Sequence, residues 1–256
     1  MSMCRVIYLL LVSIFIMPSL AGCNSSSSKE ASTEVIEEPT QVGTPHVFIP
    51  PTTVRGWRNK EPGTIVEVQN APPLSQIEGS SHALFVRYTT TNLNGEPVLA
   101  SGLVLFPTNK MFKDGELPLV VYGHMTTGAA DACAPSRSSP DSTELQKMQQ
   151  GDEIARQLLK EGVVVARPDY EGLGEPGPHP YLRGDSLARS MRDMASAVTT
   201  YWDEVGESWI AAGHSEGAVA ALNTGGATYA RGGLQLEIGA ASAFCAQIGK
   251  NRIAGM

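Results

Sequence analysis

Ser208-Trp-Ile-Ala-Ala-Gly-His-Ser-Glu-Gly-Ala-Val-Ala-Ala-Leu-Asn-Thr224 reads as a strand, a tight turn and a helix in immediate succession. Ser208–Ala212 is short and apolar, as a strand covered on both faces is. Ala218 to about Thr228 is a run of small residues with helical character. The turn between them, Gly213-His-Ser-Glu-Gly217, has the form G-x-S-x-G. Alone, five residues are weak evidence; a strand before and a helix after make them specific. A serine on so sharp a turn has a strained backbone, so the residues two positions away must be small. The N-terminus of the helix beneath it favours developing negative charge. Ser215 is therefore the candidate nucleophile, and the Glu216 N–H a candidate oxyanion donor.

Upstream the chain first shows three β-like segments, Thr64–Gln69, His82–Thr91 and Val98–Phe106. Asn92-Leu-Asn-Gly95 links the second and third as a turn, which predicts an antiparallel hairpin. The period then changes. Leu117–Tyr122 and Val163–Ala166 are fully apolar strands, Leu145–Glu161 is one helix stopped by Gly162, and Ser186 to about Trp202 is a second helix with Asp185 as N-cap. Leu187, Met191, Met194 and Val198 share one face of that second helix. Leu234–Ala241 closes the series as a last strand, and Gln247–Met256 shows neither strand nor helix. Antiparallel strands followed by β-α-β units predict an α/β fold: a mostly parallel sheet with helices on both faces.

A second oxyanion donor is expected from the loop after an earlier strand. Tyr122-Gly-His-Met-Thr-Thr-Gly128 follows such a strand, and Met125 or Thr126 is the candidate. Gly123-His-Met-Thr-Thr-Gly128, Cys133-Ala-Pro-Ser136, Pro168-Asp-Tyr-Glu-Gly-Leu-Gly174 and Gly213-His-Ser-Glu-Gly217 occur in this order. Together they resemble the secretory lipase family of α/β-hydrolases and related bacterial esterases, over roughly residues 50 to 245. Met125 stands where that family more often has Gly, and Ala218 where a second Gly is common. The resemblance implies an α/β-hydrolase fold and hydrolysis of carboxylic esters, including acylglycerols, without a cofactor.

In this fold the triad runs Ser, then an acid, then His along the chain. After Ser215 the sequence has no His and no Asp, and its only acids are Glu216 and Glu237. The histidines, at 46, 82, 124, 179 and 214, all precede it. A serine without a base is a poor nucleophile. The expectation is that residues 46–256 are the N-terminal portion of a hydrolase domain, truncated or one piece of a longer protein, and inactive alone.

The N-terminus predicts export. Arg5 precedes an apolar run from Val6 to Met17 that is too short for an ordinary membrane span and suits a signal peptide. Leu20-Ala-Gly-Cys23 resembles a bacterial lipobox, which makes 1–22 the signal peptide and Cys23 the lipidated first residue. Residues 23–45, rich in Ser, Thr, Glu and Pro, read as a flexible tether. The expected location is the cell envelope, anchored to a membrane and facing the periplasm or exterior. Cys133 and Cys245 would then be thiols in an oxidising compartment, free to pair or not.

Composition excludes other classes. The formal net charge is −7, with 42% hydrophobic and 18% charged residues, so a core is supported and nucleic acid is not an expected partner. The four cysteines form no CxxC pair, and no metal site is expected. Gly172, Gly174 and Gly177 spell G-x-G-x-x-G, but Pro176, Pro178 and Pro180 forbid the helix that a dinucleotide site needs. Asp169 and Glu171 read as acids that satisfy loop amides, and His179, in a proline-rich loop, as a surface or rim residue. Rival readings are a catalytically dead or truncated homologue that binds at the cell surface, and a peptidase or thioesterase on the same fold.

Overall fold

A hairpin and its flanking strand begin the sheet. β1 (Ile65–Asn70), β2 (Ser80–Thr91) and β3 (Pro97–Pro107) pair antiparallel in chain order. The Asn92–Gly95 turn closes as expected. The Asn92 carboxamide oxygen accepts the N–H groups of Asn94 and Glu96, and Gly95 takes φ 81°. The computed structural model describes residues 52–109 and 116–224 in full, and the backbone alone of Gln235–Leu236 and Phe244–Lys250. The described residues belong to one compact unit, Pro45–Met256. The leader 1–22, Cys23 and the tether 23–45 lie outside them, as does the side chain of Cys245; Cys133 is a free thiol.

β4 (Leu117–Gly123), β5 (Val164–Pro168) and β6 (Val205–His214) form the parallel centre. β4 lies between its two partners, with Val121 opposite Ala166 on one side and Ala211 on the other. β3 joins this centre through an antiparallel pairing with β5. The full order is β1-β2-β3-β5-β4-β6-β8-β7, where β7 is Gln235–Leu236 and β8 is Phe244–Lys250. β8 corrects the sequence reading, which left Gln247 onward without structure. It runs antiparallel to β6, and β7 pairs with β8, not with the parallel centre. Phe-Cys-Ala-Gln-Ile-Gly-Lys has no apolar run like that of β5 and carries a glycine near its end, so composition hides it. The rest of the expected strand 234–241, apart from residues 235 and 236, lies outside the described residues.

The expected helix 145–161 is instead two: α1 (Leu145–Met148) and α2 (Asp152–Lys160). Arg167, buried on β5, causes the break. Its guanidinium donates to the Met148 carbonyl (2.9 Å) and pairs with the Asp152 carboxylate, spanning the interruption. A Cβ on Gly151 would lie 2.6 Å from the Tyr122 ring, so only glycine fits where the chain turns.

α3 (Gly184–Tyr201) starts two residues earlier than expected. Asp185 is in its first turn, not at the cap; the Arg183 carbonyl takes the N–H groups of Ser186 and Leu187. Leu187, Met191, Met194 and Val198 are all fully buried, as the periodicity predicts. They join Val86, Val104, Val121, Ala166 and Ala211 in one core. By the two-residue period of a strand, Phe85, Leu105, Val120 and Val165 face the other side, where Leu158 and Leu159 of α2 are also buried. α4 (Glu216–Thr224) follows β6 directly and packs on α3.

One charged cluster lies within this architecture. Arg87 on β2 has no exposed side-chain surface; it donates to Glu175 (2.6 Å) and to Glu67 (2.6 Å), and Arg137 also reaches Glu175 (2.9 Å). Glu175 belongs to the segment between β5 and α3, so the network ties that segment to the sheet. Arg87→Met in the full chain should cost about 3–5 kcal/mol in urea unfolding, because the buried carboxylate loses its main partner. Arg87→Met with Glu175→Leu should recover much of that loss; no recovery would show that the ion pair is not what Arg87 contributes.

Candidate active site

The ends of β4 and β6 meet the start of α4 in a contact made of backbone. Gly123 and Gly213 are register partners in the sheet. A Cβ on Gly217 would overlap the Gly123 carbonyl and lie 2.9 Å from the His124 carbonyl oxygen. A Cβ on Gly213 would overlap the Gly217 carbonyl, and one on Gly123 would sit 2.7 Å from the Tyr170 hydroxyl. Both glycines of G-x-S-x-G are thus explained by close approach, as is the glycine that ends β4.

Ser215 sits at the apex of this contact. It is exposed and takes φ 55°, the left-handed region that costs a side-chain-bearing residue about 1–2 kcal/mol. Its carbonyl accepts the N–H groups of Ala218 (2.9 Å) and Val219 (3.3 Å), so the helix begins directly beneath it. Among the described residues, the other non-glycine residues with positive φ, Tyr170 (74°) and Leu182 (56°), lie in the segment that follows β5. Strain of this kind gathers where surrounding contacts overdetermine the backbone.

The candidate oxyanion donors lie on two segments that meet at the Gly123, His124 and Gly217 backbone contact. Glu216 opens α4, where its N–H has no intrahelical acceptor. Met125 and Thr126 follow His124, whose carbonyl borders Gly217. None of these three backbone N–H groups is taken up by a described acceptor. The Thr126 hydroxyl lies 3.4 Å from that of Tyr181.

Two histidines near the elbow, His124 and His179, are already engaged. His124 is buried, and both ring nitrogens face backbone carbonyls: Nδ1 that of Met125 (2.6 Å), Nε2 that of Asp169 (3.3 Å). Burial pushes its pKa down, outweighing those bonds and favouring the uncharged ring. The Tyr170 hydroxyl donates to the His124 carbonyl (3.0 Å), and the two rings pack at 4.4 Å. Among the described residues no imidazole is hydrogen-bonded to Ser215.

His179 corrects the expectation of a rim residue. Its imidazole is fully buried, with Nε2 3.1 Å from the Glu216 carboxylate and Nδ1 2.9 Å from the Glu171 carbonyl. Both nitrogens face acceptors, so the ring satisfies both only as an imidazolium. Burial opposes that charge, but the bonds to Glu216 and Glu171 prevail and raise the pKa above its ordinary value. Burial likewise works against the Glu216 carboxylate; the His179 bond and charge outweigh it and hold the carboxyl below its usual range. The sequence offered one signal for this pair: an acid between Ser215 and Gly217, in a tightly packed turn, needs a cation.

Of the other two acids, Asp169 meets the expectation of satisfying a loop amide, while the Glu171 carboxylate binds a helix hydroxyl instead. Asp169 accepts the Ser101 hydroxyl (2.7 Å), the Ser136 hydroxyl and the Ser136 N–H (2.9 Å). Glu171 accepts the Ser186 hydroxyl. Asp169 thereby fastens the Cys133-Ala-Pro-Ser136 segment to the end of β5.

This architecture is a partial α/β-hydrolase fold, its parallel centre flanked by antiparallel strands. Lipase A of Candida antarctica shares it: in its closed state the TM-score is 0.54 at 19% identity, over 64% of this chain and 38% of that one. A second structure of the same lipase gives 0.51 at 18%, over 66% and 39%. The rice cell wall degrading esterase LipA of Xanthomonas oryzae, in a ligand-bound form, gives 0.49 at 24%, over 64% and 45%. The chain thus spans less than half the length of these proteins. No protein-family model matches the chain. No curated protein matches it either.

Gly217→Ala should destabilise the protein by about 3 kcal/mol or more, since backbone must move to admit the methyl group. Gly206→Ala is the control: its Cβ would meet only the movable end of Glu116, at 2.9 Å, and should change stability by about 0.5 kcal/mol or less. Equal midpoints for the two variants in urea melts would refute the close-packing account.

Proposed function

We propose that this chain is the nucleophile-bearing part of an exported, lipid-anchored serine ester hydrolase of the lipase or carboxylesterase type. The observation that carries the reading is Ser215, exposed at φ 55° between β6 and α4. In the proposed reaction Ser215 Oγ attacks the ester carbonyl. The Glu216 N–H and that of Met125 or Thr126 receive the charge that develops on its oxygen. The alcohol then leaves, and water releases the acyl group from Ser215. Among the described residues no imidazole is hydrogen-bonded to Ser215, so the proposed reaction takes its base from elsewhere. His124 is unsuited to that role because its ring is buried between the Met125 and Asp169 carbonyls and makes no hydrogen bond to Ser215.

The same elbow serves peptide and thioester cleavage, so the choice of an ester rests on the likeness to lipase structures and on the motif order. The engaged state of His124 and His179 favours one other reading: a homologue without catalysis that binds ligands at the cell surface.

The anchor rests on Leu20-Ala-Gly-Cys23 and the Ser-rich stretch that follows. The proposed site of action is the cell envelope, with an ester or lipid as substrate and the membrane reached through Cys23.

Ser215→Ala in the full-length protein should lower p-nitrophenyl ester turnover by about 10³-fold or more and abolish fluorophosphonate labelling. Turnover within a few-fold of the parent would remove Ser215 from the role of nucleophile. Growth of cells with a fatty-acid probe should label the protein, and Cys23→Ser should lose the label. Labelling that survives the substitution would place the lipid elsewhere or refute the anchor.

A further inference from the structure

Glu216 poses an electrostatic problem for the site just described. Its N–H is a proposed donor to a developing oxyanion, yet its own side chain is a carboxylate held within the same turn and buried with the residue at 1% exposure. A negative charge so close to the oxyanion would oppose the charge that the donor is there to stabilise. The structure supplies a counter-charge. His179 reaches across from the segment between β5 and α3 and donates Nε2–H to Glu216 Oε1 (3.1 Å). The Leu182 N–H points to the same oxygen (3.4 Å). Leu182 takes φ 56° to do so, and Tyr181, between them, has its hydroxyl beside that of Thr126. One carboxylate oxygen therefore gathers the proline-rich segment against Glu216, with Tyr181 beside Thr126.

We infer that His179 is a positioning residue: its ion pair with Glu216 fixes the residue that follows Ser215 and cancels a charge that would oppose the oxyanion. The inference rests on the proposed role of Ser215. It assigns His179 no contact with substrate and no proton transfer in the reaction. The pair is held from several sides. The Glu171 carbonyl accepts Nδ1–H, Tyr170 stacks on the imidazole at 6.2 Å, and Tyr181 packs obliquely at 6.4 Å. The titratable groups around it are Glu216 on α4, Glu171, Tyr170 and Tyr181 on its own segment, and His124 beyond β4.

The pH dependence follows in sign. His179 has a raised pKa in the folded state, so its contribution is complete below the ordinary histidine value and is lost as pH rises through the raised one. Glu216 has a depressed pKa, so its contribution is complete above the ordinary carboxyl value and is lost as pH falls through the depressed one. The pair's contribution is therefore complete between the ordinary carboxyl and ordinary histidine values, about pH 4.5 to 6.5, and is lost beyond them as His179 deprotonates on the alkaline side or Glu216 is protonated on the acid side.

The test uses the full-length protein and has two arms. In the first, NMR follows the His179 ring protons against pH, in the parent and in Glu216→Gln. A pKa above the ordinary histidine value that falls in Glu216→Gln supports the pair; an unshifted value, or one that Glu216→Gln leaves alone, overturns it. In the second, kcat and KM for p-nitrophenyl butyrate are measured for His179→Ala and His179→Gln. His179→Ala should lower kcat by about 10–100-fold with KM within about threefold, as expected when a donor is misplaced. His179→Gln keeps one donor without the charge; it should fall between the two and lose the parent's alkaline decline in kcat. Should His179→Ala fail to fold, His179→Gln decides. Parent-like kcat in a folded variant overturns the positioning role even if the pair is real. Failure of the underlying reading is separate: Ser215→Ala would then retain turnover, and the NMR arm would still report on the pair.

Discussion

Three glycines at the ends of two strands and the start of one helix let the backbone of this protein approach itself more closely than any side chain allows. Gly123 ends β4, Gly213 lies beside it near the end of β6, and Gly217 lies in the first turn of α4. A methyl group on any of them would strike backbone of another. Such contact aligns the helix with the parallel strands and leaves the intervening serine no conformation but a strained one. The strain at Ser215 is thus a consequence of packing. β4 and β5 are buried throughout and β6 is buried from Trp209 to Gly213, so they cannot slide to relieve it without moving apolar surface into water.

Beyond the sheet, the segment between β5 and α3 is held by charge and hydrogen bonds, since its proline-rich sequence forms neither helix nor strand. Asp169 binds it to the serines at 101 and 136, Glu175 to Arg87 and Arg137, and His179 to Glu216. A rigid loop built in this way costs desolvation at each buried charge, which its partners must offset. In return, both Tyr170 and Leu182 are kept at positive φ, a conformation that a free loop would leave at once.

What the sequence shows depends on whether a residue's neighbours are local. The strands β2 to β6 and the buried face of α3 were legible because period-two and period-3.6 patterns record burial directly. The elbow was legible because strand, turn and helix are contiguous. The break between α1 and α2 was not, since it is imposed by Arg167 from another strand. β8 was hidden because a short strand beside an established sheet needs no apolar run of its own. His179 was misread for the same reason as the helix break: a histidine among prolines has the local signature of a rim, and its partner Glu216 is 37 positions away.

That pairing bears on how the elbow tolerates its own sequence. The residue after a nucleophilic serine contributes its N–H, so its side chain is free to vary only if it leaves the local potential unchanged. Here that residue is a glutamate buried in the first turn of α4, with its carboxylate turned to the neighbouring loop. Neutralisation must come from the protein. His179 is suited to it because its second nitrogen is occupied by the Glu171 carbonyl, which favours the doubly protonated ring. A neutral amide at 179 would meet the geometry without the charge, and a lysine would bring the charge without the second anchor on its own segment. The constraint imposed at the glycines therefore reaches outward, through one carboxylate, to decide which side chain the neighbouring loop must present.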